Sequence, residues 1–199
     1  MFKSFQRLFW FVTIFVILIT VFYTPFIYSS EFGEIKYLNI TSPYGFLWPV
    51  DGYSEISSYF GKRISPTTGA SSYHTGIDIP APEGTKLFAI ADGIVTFSGW
   101  GAGGGYTIVY DITDEKLKDY NFKISYCHVS PLILFSVGES VKKGDVIATV
   151  GPLNVYGINN NPYTDEDGLP TNGATTGCHL HFIVRENGDQ KDPLLYYNY

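Results

Sequence analysis

The chain has 199 residues, enough for one good-sized domain plus an appendage, and its 45% hydrophobic and 16% charged residues exclude a disordered chain. A formal charge of -6 argues against a nucleic-acid partner, which would require a basic face to neutralise phosphates. Gly at 21 positions, Pro at 11 and Tyr at 16, with little helical periodicity beyond residue 30, point to a mainly β fold of short strands and tight turns.

Residues 1–7 carry Lys3 and Arg7 and no acid, and from Leu8 to Tyr28 the chain is apolar apart from Thr13, Thr20 and Thr24, with Pro25 near its end. As a helix this run spans about 30 Å, the hydrocarbon thickness of a bilayer. The basic residues before it, and Glu31 and Glu34 after it, orient the amino terminus to the cytoplasm and residues 31–199 to the periplasm or cell surface. A cleaved signal peptide would have a shorter apolar region and a small-x-small site, whereas Ser29 and Ser30 follow Ile27 and Tyr28 two positions upstream. An uncleaved anchor is therefore expected, and a secreted domain if the segment is cut. Residues 1–30 read as cytoplasmic start and transmembrane anchor, 31–45 as a linker with Ser42-Pro43 and Gly45 as breakers, and 46–199 as the folded domain.

Within that domain a polar loop from Ser65 to Ser72 leads into His74-Thr75-Gly76-Ile77-Asp78. Four residues separate His74 from Asp78, which puts both on one face of a strand; Gly76, Pro80 and Pro82 disfavour a helix. Thr85 to Val95 alternates like a hairpin with Asp92-Gly93 as its turn. Gly99 to Gly105 is glycine-rich, but no Lys-Ser/Thr follows and Tyr106–Tyr110 is a strand, so a hairpin loop is expected rather than a phosphate site. Lys123–His128 reads as another strand, and Val137–Ala148 as two short strands about a Lys-Lys-Gly-Asp turn.

A long breaker-rich insertion, about residues 152–175, contains Asp165-Glu166-Asp167 and leads into Thr176-Gly177-Cys178-His179-Leu180-His181-Phe182. Its acidic fragment lacks the spaced ligands of a calcium loop, and the insertion reads as a binding rim. The closing doublet makes a geometric demand: positions i and i+2 share a face only in extended chain, so His179 and His181 serve one site if this segment is a strand. The same alternation turns Cys127 and Cys178, which precede His128 and His179, to the opposite side, as core thiols or a disulfide rather than metal ligands.

All four histidines, His74, His128, His179 and His181, lie on or beside expected strands. Two imidazoles and a carboxylate with an open fourth position make a catalytic zinc site. His74, Asp78 and one of the later pair supply that set, and two histidines remain for proton transfer and oxyanion stabilisation. The helical His-Glu-x-x-His arrangement is absent from the sequence.

Phe60-Gly61-Lys62-Arg63, His74-Thr75-Gly76-Ile77-Asp78-Ile79, Pro82-Glu83-Gly84-Thr85, Ala91-Asp92-Gly93-Ile94-Val95, Tyr126-Cys127-His128, Val141-Lys142-Lys143-Gly144-Asp145, the His179 segment and Asp192-Pro193-Leu194 resemble, in that order, the lysostaphin-like (LytM-type) zinc metallopeptidases. The resemblance implies an antiparallel, sandwich-like β domain with an open groove. It implies one zinc ion held by His74, Asp78 and His181, with His128 and His179 as unliganded catalytic histidines. The implied activity is endopeptidase cleavage of stem peptides or cross-links in bacterial peptidoglycan; a catalytically silent wall-binding or regulatory protein of the same fold is the alternative. Two departures stand out: the insertion before the second histidine motif is longer than usual, and Cys178 occupies a position commonly held by proline.

Overall fold

A computed structural model describes residues 40–67 and 69–199. The expected anchor and most of the expected linker lie outside the described residues, and among these no helix is long and apolar enough to cross a membrane. The end of the expected linker already belongs to the domain: Thr41 bridges to Asn198, and Tyr44 packs on Phe46, Phe122 and Tyr196.

In chain order the strands are β1 (Gly61–Lys62), β2 (Tyr73–His74), β3 (Ile77–Pro80), β4 (Lys86–Phe88), β5 (Gly93–Trp100), β6 (Tyr106–Ile112), β7 (Phe122–Cys127), β8 (Ser140–Val141), β9 (Val146–Thr149), β10 (His179–Glu186) and β11 (Asp189–Lys191). The described helices are short 3-10 turns. The main sheet runs β11-β10-β7-β6-β5-β8, and β3 joins the outer side of β10 beyond the reach of β11. Every pairing of named strands is antiparallel, as the composition suggests.

Strand periodicity divides the central residues between two faces. Leu180, Phe182 and Val184 of β10, Ile124 and Tyr126 of β7, and Tyr110 of β6 are fully buried on the core side. Burying each such aliphatic or aromatic side chain contributes about 1.5–3 kcal/mol. The core is closed by Trp48, Val50, Leu87 and Ile147, and its two fully buried phenols, Tyr110 and Tyr126, are satisfied: Ile90 N–H donates to Tyr110 Oη at 2.9 Å, and Tyr126 Oη donates to Phe88 O at 2.7 Å. The opposite face carries His181, Ile183 and Arg185 of β10, Ser125 and Cys127 of β7, and Thr107 and Val109 of β6, which floor an open groove.

Two expected connections differ. The segment Thr85–Val95 is not a hairpin: β4 pairs with β9, Leu87 lying opposite Ala148, while β5 leaves to join β6 and β8. Asp92 is a clasp instead, accepting from Lys143 N at 2.8 Å and Lys142 Nζ at 2.9 Å. The two strands of Val137–Ala148 exist, but β8 and β9 serve different sheets. The glycine-rich run is the β5–β6 hairpin loop, as expected.

Candidate active site

One glycine decides whether the first histidine motif can reach the second. At Gly76 a Cβ would sit 2.1 Å from Phe182 O, so only glycine lets the β2–β3 turn press against β10. With that contact made, β3 and β10 align in a register that sets Asp78 directly opposite His181. His74 Nε2 then lies 3.1 Å from Asp78 Oδ1 and 2.9 Å from His181 Nδ1, and His181 Nδ1 is 2.9 Å from Asp78 Oδ1. His179, two residues earlier on the same face, brings Nε2 to 3.4 Å from that oxygen.

His128 arrives by a different route. Its backbone is left-handed, with φ of 59°, a conformation that costs a non-glycine residue free energy. This ends β7 and swings the ring toward the groove, with ring centres 4.8 Å from His179 and 6.1 Å from His181. All five residues singled out in the sequence thus converge at one place in a groove of about 920 Å³.

The same kink corrects the reading of Cys127. Alternation would have put it behind the site, but Cys127 is paired with His181 in register and lies on the groove face. Alternation fails because the residue after Cys127 is no longer extended. Cys127 and Cys178 are both free thiols, and burial pushes the Cys127 thiol up to about 11, so it is neutral and unreactive. Neither belongs to the group whose geometry could hold a metal ion.

Each imidazole is fixed by a partner on its far side, which sets the tautomer. His74 Nδ1 donates to Tyr59 O at 2.9 Å, His128 Nδ1 to Asn172 O at 2.7 Å, and His179 Nδ1 to Gly177 O at 2.8 Å. These three therefore turn Nε2 to the site. His181 is reversed, with Nε2 3.4 Å from Thr75 Oγ1 and Nδ1 facing Asp78. Asp78 divides its oxygens: Oδ1 meets the histidines, and Oδ2 accepts from Arg63 Nη1 at 3.1 Å.

Burial acts to raise the Asp78 pKa, but hydrogen bonds from His179, His181 and His74 outweigh it and hold the carboxyl far below the ordinary range. Burial, reinforced by His179 and His181, holds His128 well below 6.5 and keeps it neutral. Burial likewise lowers His181, against the opposing pull of Asp78. Donor atoms of His74, Asp78 and His181 all lie within 4.8 Å of one another. Two imidazole nitrogens and a carboxylate oxygen converge there, a set that with its nitrogens unprotonated fits a divalent cation of zinc type.

The sequence reading missed several contributors. Arg63 stands in a quoted motif, yet its role depends on a contact with Asp78 fifteen positions away. Asn172, buried in the insertion, holds His128 through its carbonyl; its side chain accepts from Tyr106 N at 2.8 Å and donates to Val129 O at 3.0 Å.

An antiparallel sheet carrying a His/Asp/His donor set in an open groove, with two further fixed imidazoles beside it, defines a metallohydrolase-type centre. Residues 72–163 match Peptidase family M23, and the chain carries an M23 domain of the lysostaphin-like kind. It is 34% identical over 144 residues to the DD-carboxypeptidase/endopeptidase Mpg of Neisseria meningitidis serogroup B, covering 71% of this chain and 27% of that protein. It is 31% identical over 147 residues to the peptidoglycan DD-endopeptidase ShyC of Vibrio cholerae, covering 73% and 28%. The chain therefore spans about a quarter of the length of these curated relatives. Among solved structures, a zinc-containing peptidase from Vibrio cholerae superposes with a TM-score of 0.54 at 29% identity, covering 74% of this chain and 38% of that one. The catalytic domain of lysostaphin from Staphylococcus simulans superposes with a TM-score of 0.54 at 25% identity, covering 71% and 90%.

Proposed function

We propose that this chain is a zinc-dependent endopeptidase that hydrolyses stem peptides or peptide cross-links of bacterial peptidoglycan. The observation that carries the reading is the convergence of His74, Asp78 and His181 donors on one point, with His128 and His179 fixed beside it. The peptidoglycan activity named for Vibrio cholerae ShyC supports the substrate class.

His74, His181 and Asp78 would hold the zinc through Nε2, Nδ1 and Oδ1, and the ion would supply Lewis-acid polarisation of a peptide carbonyl and acidification of water. Arg63 keeps Asp78 oriented by holding its second oxygen. His128, neutral and locked by Asn172, offers Nε2 as a proton acceptor for the attacking water. His179 directs Nε2 toward the same space and, when it carries a second proton, hydrogen-bonds the carbonyl oxygen as negative charge develops. The groove admits an extended peptide past these groups. The apolar run at residues 8–28 anchors the chain in the membrane, with the catalytic domain outside the cytoplasm.

The test is to incubate the full chain and zinc with purified peptidoglycans of different stem and bridge chemistry, identifying released fragments by mass spectrometry. New amino termini that vanish with a chelator are expected. Intact peptidoglycan in every case contradicts the reading.

A further inference from the structure

Four residues beyond His181, Arg185 stands on the same face of β10 and lines the same groove. At about 3.3 Å per residue its Cα is about 13 Å from that of His181, the reach of three or four residues of an extended peptide. The guanidinium is part-buried and donates from Nη1 to Ser125 Oγ at 3.3 Å. Among the described residues it forms no ion pair, whereas Lys123, opposite it on β7, is matched by Asp111 at 2.6 Å, and Arg63, elsewhere in the groove lining, by Asp78 at 3.1 Å. A part-buried cation without a counter-charge forgoes hydration that no protein carboxylate replaces. Its planar fork suits a carboxylate that donates nothing and accepts twice. Between it and the histidines the floor is Ile183, Ser125 and Val109, with no acid to compete for an incoming anion.

We propose that Arg185 is a carboxylate subsite, selecting anionic peptides over neutral ones by pairing with a free carboxylate three or four residues from the scissile bond. The proposal rests on the peptidase reading above for the placement of the peptide in the groove. It predicts stem peptides with free carboxyls as ligands and disfavours uncharged chains such as oligoglycine or fully amidated stems.

The test is fluorescence-anisotropy binding of labelled stem peptides to the full, metal-free chain, so that no turnover intervenes. Three peptides are compared: all carboxyls free, side carboxyls converted to carboxamides, and only the carboxyl terminus amidated. Wild type is expected to bind the free-carboxyl peptide about 10- to 100-fold more tightly than at least one amidated form, and which form loses affinity identifies a side or terminal carboxylate. R185Q is expected to bind all three alike and weakly, while R185K keeps part of the preference; equal melting temperatures establish that the variants fold. Equal wild-type binding of all three peptides, or an undiminished preference in R185Q, overturns the proposal. Adding zinc, together with cross-linked peptidoglycan fragments, to the same samples separates the two claims: discriminating binding without hydrolysis of any stem or cross-linked peptide upholds the subsite and refutes the peptidase reading.

Discussion

The backbone carbonyl of Asn172 accepts the Nδ1 hydrogen of His128 at 2.7 Å, so a residue of the long insertion fixes an imidazole of the candidate site. The Asn172 side chain secures that carbonyl in turn, binding Tyr106 N and Val129 O while wholly buried. Asn172→Ala leaves both backbone groups without their partner. We expect a loss of about 2–4 kcal/mol, read from the urea midpoint at unchanged slope, with a fall in turnover under conditions where the variant remains folded.

His128 and the metal ligands are expected to separate in mutagenesis. His128→Gln should keep the zinc content of the wild type and lower kcat by about 10²- to 10⁴-fold. Metal analysis and peptide hydrolysis on one preparation check this; loss of zinc together with activity would place His128 among the ligands.

Arg63 touches Asp78 on the oxygen that the histidines leave free. Arg63→Gln should weaken zinc affinity by about 10- to 100-fold without abolishing it, by freeing the carboxylate to rotate. Competition with a chromophoric chelator measures the change, and an unaltered affinity would assign Arg63 a different role.

The metal-free domain should lose stability on acidification. For His128 the folded pKa lies below 6.5, so the unfolded chain binds more protons and stability rises with pH. The contribution is complete above 6.5 and declines as pH falls toward the folded value; lowered His181 acts in the same sense. Asp78, also lowered, adds a second decline that begins only below 3.8. Melting curves of chelated protein should shift down between pH 7.5 and 5.5, and a flat profile would contradict the buried neutral state of these rings.

These dependences show which parts of the molecule the sequence can reveal. The His179/His181 doublet was legible because strand periodicity is local, and the sheet turns both rings to one face. The same rule misplaced Cys127, since nothing in Tyr126-Cys127-His128 announces the left-handed backbone that interrupts alternation at His128. The Asp92-Gly93 pair signals a hairpin by its chemistry, yet Leu87 finds its partner at Ala148, a long-range choice made by core packing. Asn172 and Arg63 were invisible as site residues for a similar reason. Their roles arise from contacts 44 and 15 positions away, which no motif encodes.

The central claim is that His74, Asp78 and His181 together hold a zinc ion that this chain uses to cleave peptidoglycan peptides. The most direct measurement is zinc per chain, by elemental analysis after extensive dialysis, in the wild type and in Asp78→Ala, with peptidoglycan hydrolysis assayed on the same samples. One zinc and chelator-sensitive hydrolysis in the wild type, both lost in the variant, is the predicted result. Retained zinc or chelator-insensitive hydrolysis in Asp78→Ala would contradict it.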